Sequence, residues 1–474
     1  MKNQLFILFL LLAMLGGGCA APALPPTPIP SPTFSGPALN PAPATTTAAP
    51  TPMETAARPT ALPTLPPPTP APEPTIAPTP WPFEPPTGQI FFFYAPDPLD
   101  FEPHGELNEY NLYRADATGD PNEWQIITIF TQTVPSSILL SPDRTKLSVL
   151  LTYDTNGDGR LTTGAMPDLR DVFIYYLLQE SIQQLTTTQV PENPINSIAW
   201  MPENDVILAC HAHEIAKILI DTPLPEIILS ASDFAFKGTF TLSPDKNLLI
   251  FPTTGSAIEE GVYEGNDRLQ AFMIDTSAFT ILQDDGVFLN MTRPAWSPNG
   301  NWLAYGNARG QTFILNANTL SFSPLLADEE RTYPTGWSRD GRWLNVVKNS
   351  NSLLLWNPET QETTELLSSD EVKNPIWSPQ TNQIAVSLIR DSAEELLLVD
   401  AETGNMQTLL SAVPDRHINP YSWSPDGNWL LLLIEEPKQS GLFVLHPASG
   451  ALFPVMDTTG GLLGYSHVWI PGME

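Results

Sequence analysis

The chain has 474 residues, with 52 Asp and Glu against 21 Lys and Arg, a formal net charge of −31. The surplus lies in residues 87–474, with 49 acidic and 19 basic residues, so nucleic acid and anionic headgroups are excluded as partners because both need clustered cations. Two cysteines, Cys19 and Cys210, exclude a disulfide framework.

Residues 1–19 read as a signal peptide. Lys2 supplies the positive start, and Leu5 to Leu15 form an apolar core too short for a comfortable membrane span. Gly16-Gly17-Gly18-Cys19 follows and resembles a bacterial lipobox, although Gly16 stands where Leu is usual and Leu15 is displaced by one. The resemblance implies acylation of Cys19 and an extracytoplasmic protein lipid-anchored to a bacterial membrane, at the cell surface or in the periplasm. Residues 20–86 hold 24 Pro among 67 residues, most of the rest being Ala and Thr. With no apolar period this stretch builds no core and is expected to be a disordered, semi-rigid tether. At ~3.1 Å per residue it reaches on the order of 200 Å when fully extended.

Three apolar runs open the folded part: GQIFFFYA from Gly88, ELNEYNLYRAD from Glu106 and EWQIITIF from Glu123. After residue 135 one phrase recurs eight times: an apolar run, Trp or Leu, a Ser-Pro-Asp-Gly-like turn, and a second apolar run. Its clearest copy is SWSPDGNWLLLL from Ser422, and the Trp-equivalent positions are 140, 200, 242, 296, 337, 377, 423 and 469. Pro at the second turn position and Gly at the close suit a tight hairpin between buried strands. A period of about 40–45 residues with four short strands is that of a β-propeller blade. The phrase marks the link between strands A and B. The copy at His467 supplies a last strand A, which is expected to join the three N-terminal runs as strands B, C and D and close the ring. The expected fold is an all-β propeller over 87–474, with eight four-stranded blades, or seven if a degenerate copy at Met201 or Ser243 is not a blade. Trp200, Trp296, Trp337, Trp377, Trp423 and Trp469 recur in every well-formed copy, which points to packing between blades rather than to a ligand.

Asp154-Thr155-Asn156-Gly157-Asp158-Gly159-Arg160 matches the opening of an EF-hand loop. Oxygens of Asp154, Asn156 and Asp158 converge on one cation, Gly159 permits the turn, and Arg160 offers its backbone carbonyl. Position 12 is Ala165, so Asp168 or Asp171 is expected to supply the carboxylate of a structural Ca²⁺ site. Two further B–C hairpins carry insertions, one with Asp97, Asp100, Glu102, His104 and Glu106 and one with Glu259, Glu260, Glu264 and Asp267. Since all B–C loops leave one face, the three build an acidic rim there, the expected partner face. His211 and His213 form an H-x-H pair without an identifiable third metal ligand, and Cys210 reads as a buried thiol. No G-x-S-x-G, H-E-x-x-H or P-loop motif occurs.

The W-S-P-D-G blades over 88–474 resemble TolB-type, or WD-like, propeller repeats. The resemblance implies periplasmic protein–protein binding. The chain departs from TolB in lacking its extra N-terminal domain and in blade number. Related blades cap prolyl oligopeptidase and dipeptidyl-peptidase enzymes, whose hydrolase domain of about 250 residues has no counterpart after the ring-closing strand. Two functions are therefore expected. The first is a membrane-anchored, monomeric binding propeller without catalytic residues that engages a protein or glycan of the envelope through its loop-rich face. The alternative is a propeller lyase, lactonase or glycosidase, which needs His, Glu or Arg side chains from several blades at the mouth of the central channel.

Overall fold

The computed structural model describes residues 84–472, apart from 97–108, 119–123, 128–129, 131–132, 156–168, 188–194, 212, 223–224, 231–235, 237–239, 254–255, 260–261, 265–266, 287–291, 308 and 327–329. The chain divides into two units, Met1–Pro78 and Thr79–Glu474, and every described residue belongs to the second.

Eight four-stranded antiparallel sheets follow one another as the blades of a propeller. Blade 1 takes strand A from Leu462–Ile470 and strands B, C and D from Gln89–Ala95, Asn111–Asp116 and Gln125–Ile126. Blade 2 runs Val134–Leu140, Lys146–Thr152, Arg170–Tyr176 and Ser181–Gln184, and blade 3 Ile195–Trp200, Val206–His211, Glu214–Leu219 and Pro225–Ser230. Blade 4 runs Thr241–Leu242, Leu248–Thr253, Asp267–Met273 and Ala278–Gly286, and blade 5 Thr292–Trp296, Trp302–Gly306, Thr312–Asn316 and Ser321–Pro324. Blade 6 runs Thr332–Trp337, Leu344–Lys348, Ser352–Trp356 and Thr363–Ser368. Blade 7 runs Glu371–Trp377, Gln383–Arg390, Ala393–Asp400 and Met406–Pro414, and blade 8 His417–Trp423, Leu430–Glu436, Gln439–His446 and Ala451–Asp457. Each of the eight Trp-equivalent positions lies at or next to the end of a strand A, so both degenerate copies are blades. Strand A is the inner edge of each sheet, and the A strands of blades 1 and 2, 2 and 3, 5 and 6, 6 and 7, and 7 and 8 touch.

The sequence explains the layering. Strands B are continuous apolar runs because both of their faces are covered; in Leu248–Thr253 every residue is buried. Strands D are largely exposed, as in Pro225–Ser230. Eight apolar clusters fill the eight seams between blades. One packs Ile90, Phe92 and Trp469 of blade 1 on Trp429, Leu431 and Val444 of blade 8. Another packs Leu396 and Leu398 of blade 7 on Ile418, Leu430 and Leu432 of blade 8.

The turn phrase works as expected and adds a serine. In blade 8 Ser424 Oγ donates to Asp426 Oδ1 at 2.5 Å and accepts from the Trp429 N–H at 2.9 Å, while Gly427 N donates to Ser424 O at 2.9 Å. The fourth turn position is left-handed, with φ 75° at Gly427 and 72° at Gly300 and Gly341. Arg144, Asn204 and Lys246 take φ of 60°, 64° and 62° there in copies that lack the Gly. In blade 2 burial raises the Asp143 carboxyl, but hydrogen bonds from Ser141, Thr145 and Lys146 outweigh it and hold the group at about 2.

The ring closes as the repeat requires. Gln89 pairs with Ile470, Ile90 with Trp469 and Phe92 with His467, which removes the free inner edge. Gly88, at φ 95°, makes this possible: a Cβ there would collide with the Ile470 carbonyl.

Candidate functional site

Because neighbouring strands alternate in direction, the A–B and C–D links share one face and the B–C and D–A links share the other. The strand ends that flank the three insertions, Ala95 and Asn111, Thr152 and Arg170, and Thr253 and Asp267, thus lie on the second face. In blade 4 the insertion folds into its own hairpin, Ser256–Glu259 with Val262–Glu264, which no periodicity in the sequence announces. Glu259, Glu264 and Asp267 lie on described backbone at this hairpin and at the start of strand C, whereas Glu260 lies outside the described residues. Asp97, Asp100, Glu102, His104 and Glu106 also lie outside them, as do Asn156, Asp158, Arg160, Asp168 and Cys19.

Of the calcium-loop residues, Asp154 and Asp171 are described. Asp154 follows strand B of blade 2, and the neck of its loop is tied where Leu169 N donates to Thr155 Oγ1 at 3.0 Å. Asp171 sits in strand C and is 0% exposed. It accepts from Thr186 Oγ1 at 2.8 Å and Tyr153 Oη at 3.0 Å. Burial and the Asp171 charge push the Tyr153 phenol above its ordinary value. Asp171 therefore braces the root of the loop. His211 ends strand B of blade 3 and His213 follows in the turn. Among the described residues no group of three or more His, Cys, Asp or Glu is placed to hold a metal. Cys210 is buried, and burial pushes its thiol up to about 12, which makes it unreactive.

The same face carries a second constellation at the inner ends of blades 7 and 8. Glu394, at the start of strand C of blade 7, is 2% exposed. Its Oε2 accepts from Lys373 Nζ at 3.2 Å and lies 3.1 Å from His417 Nδ1, and its Oε1 is buried without a hydrogen-bond partner. Lys373 belongs to strand A of blade 7 and His417 to strand A of blade 8. Beside them Asn374 Nδ2 donates to Asn419 Oδ1 at 3.2 Å, and Asn419 Nδ2 donates to Glu435 Oε2 at 3.3 Å. Three further ion pairs line this part of the face: Lys348–Glu330 at 2.9 Å, Arg390–Glu395 at 3.0 Å and Arg416–Glu436 at 2.7 Å. Sequence reasoning missed Glu394 and His417. They are 23 residues apart, in different blades and outside the repeated phrase, and the one available hint was a charge entering an otherwise apolar strand, AEELLLVD.

No protein-family profile matches the chain. Protein hir-1 of Neurospora crassa is 21% identical over 249 residues, covering 50% of this chain and 22% of that protein, so the chain spans about a fifth of the length of this curated relative. Solved structures of similar fold include the dihydro-heme d1 dehydrogenase NirN in complex with DHE, 12% identical with a TM-score of 0.54 over 83% of this chain and 78% of that one. Dipeptidyl peptidase 4 of Porphyromonas gingivalis is 11% identical with a TM-score of 0.54 over 78% of this chain and 60% of that one. TolB of Acinetobacter baumannii is also similar, 12% identical over 72% of this chain and 82% of that one, with a TM-score of 0.34. At these identities the likeness to NirN and to dipeptidyl peptidase 4 shows the fold alone, a β-propeller.

Proposed function

We propose that this chain is a lipid-anchored, extracytoplasmic binding propeller that engages a protein or glycan through the face bearing its B–C loops, with a Ca²⁺ ion ordering the blade 2 insertion. One observation carries the reading. The insertions at 95–108, 153–169 and 253–267 together hold eleven carboxylates and a single Arg, and the strand order of blades 1, 2 and 4 supports their emergence on one face. Raised loops on a rigid ring are where binding residues concentrate. The anchor rests on Cys19 and the tether on the proline-rich stretch after it.

A photo-crosslinking residue at Glu260 tests the face, with one at Asn428, in an A–B turn on the opposite face, as control. In the native envelope Glu260 is expected to give discrete adducts and Asn428 none; adducts at both or at neither oppose the reading. The calcium site is tested by thermal unfolding of the full chain in EDTA and then in millimolar Ca²⁺. Asp154, Asn156, Asp158 and the Arg160 carbonyl are the proposed ligands, with Asp168 as the closing carboxylate because the Asp171 oxygens already serve Thr186 and Tyr153. Ca²⁺ is expected to raise the midpoint in the wild type and to leave Asp154→Ala/Asp158→Ala unmoved. Equal behaviour of the two proteins refutes the site.

A further inference from the structure

We propose that the inner ends of blades 7 and 8 form a subsite for a neutral saccharide, read by His417, Asn374, Asn419 and Glu435 and kept in register by Glu394. The inference rests on the binding reading above and names a ligand class for it. Glu394 stands on the side of strand C that faces blade 8, where Leu396 and Leu398 enter the apolar seam. A carboxylate at this place weakens a seam that an apolar side chain would fill, since breaking even with such a group takes full hydrogen bonding. One of its oxygens has no partner at all. What the residue gains is hold over two side chains. It neutralises Lys373, and it accepts from His417 Nδ1–H. That selects the tautomer with the proton on Nδ1 and leaves Nε2 of a ring that is 59% exposed as an outward acceptor.

The ligand class follows from the surrounding groups. Lys373 is committed to Glu394, and the neighbouring Arg390 and Arg416 are committed to Glu395 and Glu436. With acidic loops on the same face, an anionic ligand is disfavoured. A metal finds fewer than three converging ligands among the described residues. The remaining array is an imidazole acceptor, two amides whose carbonyl lone pairs and N–H groups exceed the bonds they make, and a carboxylate. Such alternating donors and acceptors match the hydroxyls of a neutral sugar, each of which donates once and accepts twice.

The test titrates the full chain calorimetrically with chitotetraose, cellotetraose and maltotetraose, and with tetragalacturonate as the anionic probe. At least one neutral tetrasaccharide is expected to bind and tetragalacturonate not to. Asn419→Ala and His417→Phe are each expected to weaken binding about tenfold or more at an unchanged unfolding midpoint. In ¹⁵N-histidine spectra the wild-type His417 is expected to carry its proton on Nδ1, with the Nε2 resonance moving on ligand addition; Glu394→Gln, which keeps the shape, is expected to mix the tautomers and weaken binding. Silence from all three neutral probes overturns the subsite, while adducts at Glu260 would still uphold the binding face. Neutral-sugar binding that survives both substitutions but vanishes when 253–267 is shortened also overturns it and leaves the face standing.

Discussion

At the scale of single residues, the tryptophans do more than fill space. Trp337 Nε1 donates to Ala295 O at 2.9 Å, Trp377 Nε1 to Gly336 O at 3.1 Å and Trp200 Nε1 to Leu139 O at 3.2 Å. In each case the acceptor is the residue just before the Trp-equivalent position of the preceding blade. The indole thus ties the inner strand of one blade to that of the next. His467 departs from this apolar logic. It sits in strand A of blade 1, edge-on to Tyr421 at 5.2 Å, and shares a small pocket with Phe92, Leu431, Leu442, Leu463 and Gly464. Its Nδ1 is buried without a partner, and burial pushes the group down to about 4 from an ordinary 6.5. The folded state therefore binds the proton more weakly than the unfolded chain. The stability this neutral ring allows is complete above the unfolded pKa and is lost as pH falls toward the folded one. Between about pH 7 and about pH 5 the loss is at most about 2 kcal/mol. Denaturant titrations of wild type and His467→Leu should diverge over that interval, with the variant flatter; parallel curves would show that His467 takes up its proton without cost. The recurring Trp and Ser-Pro-Asp-Gly residues were legible in the sequence because repetition separates them from chance. His467 was not, because its consequence depends on which side chains the ring closure brings around it.

At the scale of strands, the inner ones are bulged in a shared place. The A–B register slips between Pro135 and Ser137, Ile195 and Ser197, Pro334 and Gly336, and Pro420 and Ser422. An extra residue there bends and twists the edge strand as it lines the axis. The bulge also lets residues on both sides of it meet the neighbouring blade, which is how Asn374 reaches Asn419. Nothing in the residue pattern marks this slip, whereas the origin of the closing strand was readable from the mismatch between the two chain ends. The closure itself hinges on Gly88. Its left-handed φ costs a side chain about 1–2 kcal/mol, and the Ile470 carbonyl occupies the position of the missing Cβ. Trp469 Nε1 donates to Thr87 O at 3.0 Å and Ala117 N to Gly88 O at 3.0 Å, so displacement of this residue loosens both neighbours of strand B. Gly88→Ala is expected to lower the unfolding midpoint by several degrees and to speed hydrogen exchange in strands A and B of blade 1 ahead of the other blades. Protection lost evenly around the ring would mean that the closure is not the weak point.

At the scale of the molecule, eight seams with eight separate apolar clusters make the ring a chain of nearest-neighbour interfaces rather than one core. Local damage therefore stays local until the ring opens. What acts on all blades together is charge. Residues 87–474 carry 49 acidic and 19 basic groups, and the ion pairs on the B–C face of blades 6–8 use several of the few cations available. Excess like charge repels itself in the compact state and relaxes when the chain expands. Exposed charges are screened beyond about 10 Å at 0.1 M salt, whereas surface ion pairs give up little because each is worth about 0–1 kcal/mol. The repulsion therefore dominates the salt response. With EDTA present to remove divalent cations, raising NaCl from about 10 mM to about 500 mM should raise the unfolding midpoint by a few degrees, with most of the gain below about 0.2 M, where the screening length changes fastest. A midpoint that falls with salt would show that the ion pairs outweigh the excess charge. The acidic surface would then be a net source of cohesion for the ring rather than a strain it carries.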